Sequence, residues 1–150
     1  GRFMIPKWDK RFLEMAELVA TWSKDPSTKV GAVIVDGKNR VVGTGYNGPP
    51  RGVVDEDLSE DRERRLMRTI HAEVNALLFS TKSDLSDATI YVTAPPCANC
   101  ATLIIQKGIR HVVCKQADDA FIRRWYGHLK EVEAMFANVG GSMTIYEHNS

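Results

Sequence analysis

The sequence predicts an α/β fold, a three-layer α/β/α sandwich around a five-stranded mixed sheet. Three observations carry that prediction. Short β-branched runs alternate along the chain with segments whose apolar residues recur every three or four positions. A tight turn joins the first two runs, which makes them an antiparallel hairpin. Helical segments separate the later runs, which implies parallel crossovers that cover the sheet. The chain of 150 residues, 43% hydrophobic and 26% charged, is long enough to bury a core of its own and is read as one domain, residues 1–150.

Each element has its own local signal. Trp8, Phe12, Met15, Ala16, Val19 and Trp22 share one face of a helix over residues 8–22. Pro26 disfavours helix at Asp25 and ends it. Val30 to Val35 reads as a buried strand, Asp36-Gly37-Lys38-Asn39 as a hairpin turn, and Val41-Val42 as the start of a second strand running into Gly45-Tyr46-Asn47-Gly48. From Asp55 to Arg68, acids precede bases, an order that suits the dipole of a short helix, read as a solvated face with an effector or subunit contact as the alternative. Thr69 is placed as the cap of a helix from Ile70 to about Ser80, with Val74, Leu77 and Leu78 inward. Thr89 to Thr93 is a third strand, closed by Pro95-Pro96. A helix from Cys97 to Lys107 ends at Gly108, and Ile109 to Cys114 is a fourth strand. Phe121 to Asn138 is helical, with Ile122, Trp125, Leu129, Val132 and Phe136 assigned to the core. Ser142 to Tyr146 is the last strand.

Composition narrows function. Twenty Lys and Arg against nineteen Asp and Glu leave a net charge of +1, unlike the basic excess of domains that grip a nucleic-acid backbone. No apolar run approaches a membrane span and no secretory leader is visible, so a cytoplasmic protein is expected. Three cysteines, two of them three positions apart, argue against a disulfide scaffold.

The chemistry lies in His71-Ala72-Glu73 and Pro96-Cys97-Ala98-Asn99-Cys100. Cys97 opens a helix, where backbone N–H groups favour a thiolate, and Cys100 follows one turn later. One His and two Cys make three ligands; a structural zinc site normally has four, whereas a catalytic one leaves a position open. His111, His128, His148 and Cys114 are the other conceivable ligands, and none lies at ligand spacing from the two cysteines. Glu73 can lean over a metal-activated water and carry its proton to a ring nitrogen and a leaving amine. Alone, the His-Ala-Glu triplet reads as surface helix and the Cys-x-x-Cys as a redox pair or half a zinc knuckle. In this order they form the signature of zinc nucleobase deaminases.

With these motifs, Ser23-Lys24-Asp25-Pro26, Lys29 to Val35, Gly43 to Gly48, His71 to Ala76, Pro96 to Ala101 and Leu103 to Ile109 resemble the cytidine/deoxycytidylate deaminase family. Within it, they resemble the dCMP-acting branch, over roughly residues 8–115. The resemblance implies a cytidine-deaminase-like fold and hydrolysis of dCMP to dUMP and ammonia, which supplies the precursor for dTMP synthesis. It implies one Zn2+ per chain on His71, Cys97 and Cys100, with Glu73 as proton shuttle. Asn47 would contact the sugar, and Ala72, Thr93, Ala94 and Pro95 the pyrimidine edge. Lys24, Ser27 and Tyr126 are the phosphate candidates, although Ser27 and Thr28 stand where several relatives carry arginines. Gly45, Tyr46, Asn47 and Gly48 resemble the segment that binds dCTP with Mg2+ (activator) or dTTP (inhibitor) in regulated relatives, which are typically hexamers. Asp55 to Arg68 has no Cys or His, so the second, structural zinc of some relatives is not expected.

Other functions share part of this pattern. A deaminase of free cytidine, guanine, a riboflavin-pathway intermediate or a tRNA adenosine would keep the same zinc and glutamate. A silent zinc-binding interaction module would not need Glu73. Single-stranded nucleic-acid binding through Trp8, Trp22, Trp125, Tyr126 and Phe121 is the third alternative, with Trp8 and Trp22 expected in the core instead.

Overall fold

The computed structural model describes residues 4–53 and 60–147. Its elements are α1 (Lys7–Ala20), β1 (Gly31–Val35), β2 (Val41–Tyr46), α2 (Arg62–Met67), α3 (Ala72–Leu78), β3 (Thr89–Val92), α4 (Ala98–Gln106), β4 (His111–Lys115), α5 (Asp119–Asn138) and β5 (Ser142–Tyr146). The five strands form one sheet in the order β2-β1-β3-β4-β5. β1 is antiparallel to both β2 and β3, whereas β3, β4 and β5 are parallel. The expected three-layer sandwich is therefore the observed one.

The hairpin turn forms because the Asp36 carboxylate accepts the Lys38 and Arg40 N–H groups at 2.8 and 3.0 Å, while Asn39 takes a left-handed φ of 61°. Every residue of β1 is buried, so alternate side chains feed two separate cores. Val33 and Val35 join Tyr91 and Val113 under Phe12, Leu13, Ala16 and Val19 of α1. Ala32 and Ile34 join Ile90, Val92, Val112 and Cys114 under Ala76, Ile104, Val132 and Phe136 of α3, α4 and α5. One helix thus covers one face, and three helices the other.

Several boundaries differ from the sequence reading, for local reasons. α1 ends at Ala20, so Trp22 leaves the apolar stripe; Trp22 is 53% exposed and Trp8 43% exposed, and neither is core. Trp8 stacks on Phe12 with Arg11 over its ring, and Trp22 packs edge-on against Tyr46. Thr69 does not cap the next helix. Its hydroxyl donates to the Arg65 carbonyl at 2.7 Å, closing α2, and α3 begins one residue after His71. Leu78 is exposed because α3 lays Ala72, Ala76 and Leu77 on the sheet, the face opposite Leu78. Asp61 caps α2 by accepting from the Arg64 N–H; Asp55, Glu56 and Asp57 lie outside the described residues. The solvated-face reading of that segment fails at Arg65, which is buried. In α5, Val132 and Phe136 are core, and the helix is interrupted at Trp125 (φ −111°, ψ 15°). The side chains of Phe121 and Ile122 lie outside the description.

Candidate active site

Topology brings the functional motifs together. The start of β1, the end of β2 and the end of β3 lie side by side in the observed register, Gly31 opposite Tyr46 and Ala32 opposite Val92. Crevices beyond the carboxyl ends of strands are where open α/β sheets place ligands. A reciprocal pair of backbone hydrogen bonds, Gly48 N–H to Ile70 O at 3.1 Å and Ile70 N–H to Gly48 O at 2.8 Å, pins the loop after β2 beside His71.

His71 and Cys97 occupy equivalent places, each the extended residue immediately before a helix, α3 and α4 respectively. The ligand atoms of His71, Cys97 and Cys100 all lie within 4.8 Å of one another, the one such group among the described residues. His71 Nδ1 faces both sulfurs, 3.1 Å from Cys100 Sγ and 3.6 Å from Cys97 Sγ. Hydrogen bonding from Cys100 and His71 pulls the Cys97 thiol down to about 4, so it is a thiolate at neutral pH. The bond to Cys97, with burial and Glu73, pushes Cys100 the other way. The hydrogen bond to Cys97 raises His71. One imidazole and two sulfurs, one already anionic, fit a zinc ion with an open fourth position. A cation there displaces the protons of the cluster.

The other conceivable ligands have different partners. His128 Nδ1 accepts the Ala98 N–H at 2.9 Å, His111 pairs with Ser142, and Cys114 is buried in β4, its thiol toward the Thr144 carbonyl. His148 lies outside the described residues.

Glu73 is 4% exposed at the first turn of α3. Burial, the largest influence, lifts its carboxyl to about 7 against the pull of its own backbone N–H and His71. A carboxyl poised near neutrality can both take and give a proton. Trp125, Ala94, Pro95 and Leu66 wall the cavity of about 150 Å³ that contains His71, Glu73 and Cys97.

The remaining expected residues divide. Asn47, Ser27, Ala72, Ala94 and Pro95 line this cavity. Asn47 also ties the loop after α1 in place, accepting the Val30 N–H at 2.9 Å and donating to the Thr28 carbonyl at 2.8 Å. Thr93 instead accepts the Gly31 N–H and faces a neighbouring hollow. Lys24 lies in a third hollow with Gly45, Tyr46 and Gly48, bordered also by Asn47. Tyr126 is exposed, with Lys130 over its ring; its neighbour Trp125 reaches the cavity. The break in α5 redirects the side chains there, which helical spacing alone does not foresee. Arg62 and Arg65 also line the cavity and were missed. Their three-residue spacing, immediately before the His-Ala-Glu motif, is the signal that puts both on one side of a helix.

This fold and this cluster define a class of protein, a zinc-site deaminase scaffold. The zinc-binding region of cytidine and deoxycytidylate deaminases matches residues 6–116, and the chain belongs to that family of deaminating hydrolases. It is 49% identical over 141 residues to an uncharacterized deaminase in the luxG 3' region of Aliivibrio fischeri, covering 94% of this chain and 95% of that one. It is 41% identical to the deoxycytidylate deaminase of Mycobacterium phage D29, covering 72% and 94% of the two chains. The human deoxycytidylate deaminase is 40% identical over 113 residues, 71% of this chain; the match spans 64% of the human protein's length. In fold, the chain resembles the dCMP deaminase of cyanophage S-TIM5, solved with dCMP and dUMP (TM-score 0.72, 23% identity, 97% and 99% coverage).

Proposed function

We propose that this protein is a zinc-dependent dCMP deaminase, converting dCMP and water to dUMP and ammonia. The observation that carries the reading is the convergence of His71, Cys97 and Cys100 beside a buried Glu73 whose carboxyl is poised near neutrality. The naming of relatives at 40% and 41% identity as deoxycytidylate deaminases supports the substrate.

In this reading His71, Cys97 and Cys100 hold the zinc, which when bound supplies activation of water at neutral pH. Glu73 accepts one proton of the attacking water at its carboxylate and delivers it to the pyrimidine N3, then takes the second from the new C4 hydroxyl and delivers it to the amine, which leaves as ammonia. The C4–O bond forms and the C4–N bond breaks. Backbone at Ala72, Ala94 and Pro95 confines the pyrimidine edge, and Asn47 presents its amide at the sugar end. Trp125 closes the apolar wall over the ring. The product dUMP would feed dTMP synthesis.

Regulation belongs to the same proposal. Gly45, Tyr46, Asn47 and Gly48 border a separate hollow of about 670 Å³, in which dCTP with magnesium or dTTP would act. Assembly into hexamers is proposed with it.

Ammonia release from zinc-replete protein tests the reading, with dCMP, deoxycytidine, cytidine and guanine compared at equal concentration, each with and without dCTP and magnesium. Preference for dCMP is expected. Turnover of a free base or nucleoside with none of dCMP would overturn the substrate, and indifference to dCTP would remove the regulation.

A further inference from the structure

We propose that Arg65, with Arg62 at the rim, forms the phosphate-recognising end of the cavity. On this view α2, rather than the loop after α1, selects a nucleoside monophosphate over a nucleoside. The inference rests on the reading of the site as a dCMP deaminase and names the residues that make the substrate a nucleotide.

His71, Glu73 and Cys97 share the lining of the cavity with a contact-linked cluster of Asp25, Ser27 and Arg65, and with exposed Arg62. Arginine is seldom buried, yet Arg65 is only 8% exposed while lining the cavity. Its guanidinium donates to Ser27 Oγ at 2.8 Å, and its Nε lies 3.9 Å from the Asp25 carboxylate. Those contacts hold the planar fork in one orientation, the geometry that suits bidentate recognition of phosphate oxygens. Because Ser27 accepts from Arg65, its own hydroxyl hydrogen is left to donate.

Asp25 is itself fixed by the Ser27 and Thr28 N–H groups at 2.8 and 3.0 Å. Two guanidinium groups against one carboxylate leave this cluster net positive, the charge that suits a dianionic phosphate. Lys24, by contrast, lies in a different hollow. Ser27 and Thr28 bring no charge of their own, so the cations come from α2.

The test compares kcat/KM for dCMP with kcat/KM for deoxycytidine in the zinc-loaded wild type and in Arg65→Gln, Arg65→Lys and Arg62→Gln. Inorganic phosphate is also measured as an inhibitor. The dCMP to deoxycytidine ratio should fall roughly 10- to 100-fold in Arg65→Gln, the worth of a charge-assisted hydrogen bond, and recover in part in Arg65→Lys. Inhibition by inorganic phosphate should weaken in parallel. A ratio unchanged while both rates fall together would show that Arg65 only props the loop, overturning the inference with the dCMP reading intact. A wild type that does not prefer dCMP would defeat the underlying reading instead. If Arg65→Gln does not fold, Arg62→Gln decides: a lower ratio with weaker phosphate inhibition supports the proposal, and no change in either overturns it.

Discussion

Cys97 and Cys100 show how much a single residue's surroundings determine. Two thiols one helical turn apart are pushed in opposite directions chiefly by the hydrogen bond they share, which lowers Cys97, helped by His71 and by the Cys100 N–H at 3.4 Å, and raises Cys100, which is also buried beside Glu73. A divalent cation reconciles them by making both anionic. Cys100→Ala should therefore cut bound zinc from about one per chain to a small fraction, since two ligands seldom retain the ion. Metal analysis after dialysis checks this; full zinc retention would remove Cys100 from the ligand set. At this scale the sequence was legible where spacing dictates geometry: His71, Cys97 and Cys100 converge as their positions before and within helices require. It was not legible at Trp125, whose place in the cavity depends on a break in α5, nor at Arg65, whose burial depends on packing against the loop after α1.

At the scale of elements, α3 must approach the sheet closely to bring His71 and Glu73 to the strand ends. Glycine in β2 permits it. A Cβ on Gly45 would collide with the Ala72 carbonyl and the Ala76 nitrogen, and one on Gly43 would lie 2.7 Å from the Ala76 carbonyl. Gly45 thus has a packing reason independent of any nucleotide. Gly45→Ala should destabilise the fold by about 1–3 kcal/mol, the usual cost of overpacking, and lower zinc occupancy as α3 shifts. Urea unfolding with metal analysis measures both; an unchanged midpoint would show that α3 is free to yield. The glycine spacing was visible in the sequence, but its cause was not, because close approach between elements leaves no periodic mark. The same limit misplaced the start of α3. Thr69 has the chemistry of a cap, yet its hydroxyl closes α2.

At the scale of the whole molecule, residues far apart in sequence lock the single-helix face of the sheet. The hydroxyls of Tyr91 and Tyr146 both donate to the Asp9 carboxylate at 3.0 Å, joining α1, β3 and β5. Burial first, then the charge of Asp9, raises the Tyr91 hydroxyl above its ordinary value; burial and Asp9 also raise Tyr146. A folded-state pKa raised above the unfolded one contributes stability that is complete below about pH 10 and lost as the pH climbs towards the folded value. Wild-type stability should therefore decline as the pH rises above about 10, and Tyr91→Phe should decline less steeply. Parallel declines in urea unfolding would contradict that role for Tyr91. The architecture itself was legible, because hairpin and crossover signals fix strand direction and the β1 run marks a strand buried on both faces. The Asp9 lock was not, since nothing local couples residues 137 positions apart.

The central claim is that a zinc cluster and one buried glutamate together deaminate dCMP, and Glu73→Gln tests it most directly. The measurement is zinc content and dCMP turnover on the same preparation, beside the wild type. The variant should keep about one zinc per chain. Turnover should fall by roughly 10²–10⁴-fold, because the amide cannot carry the proton. Wild-type turnover in the zinc-loaded variant would contradict it.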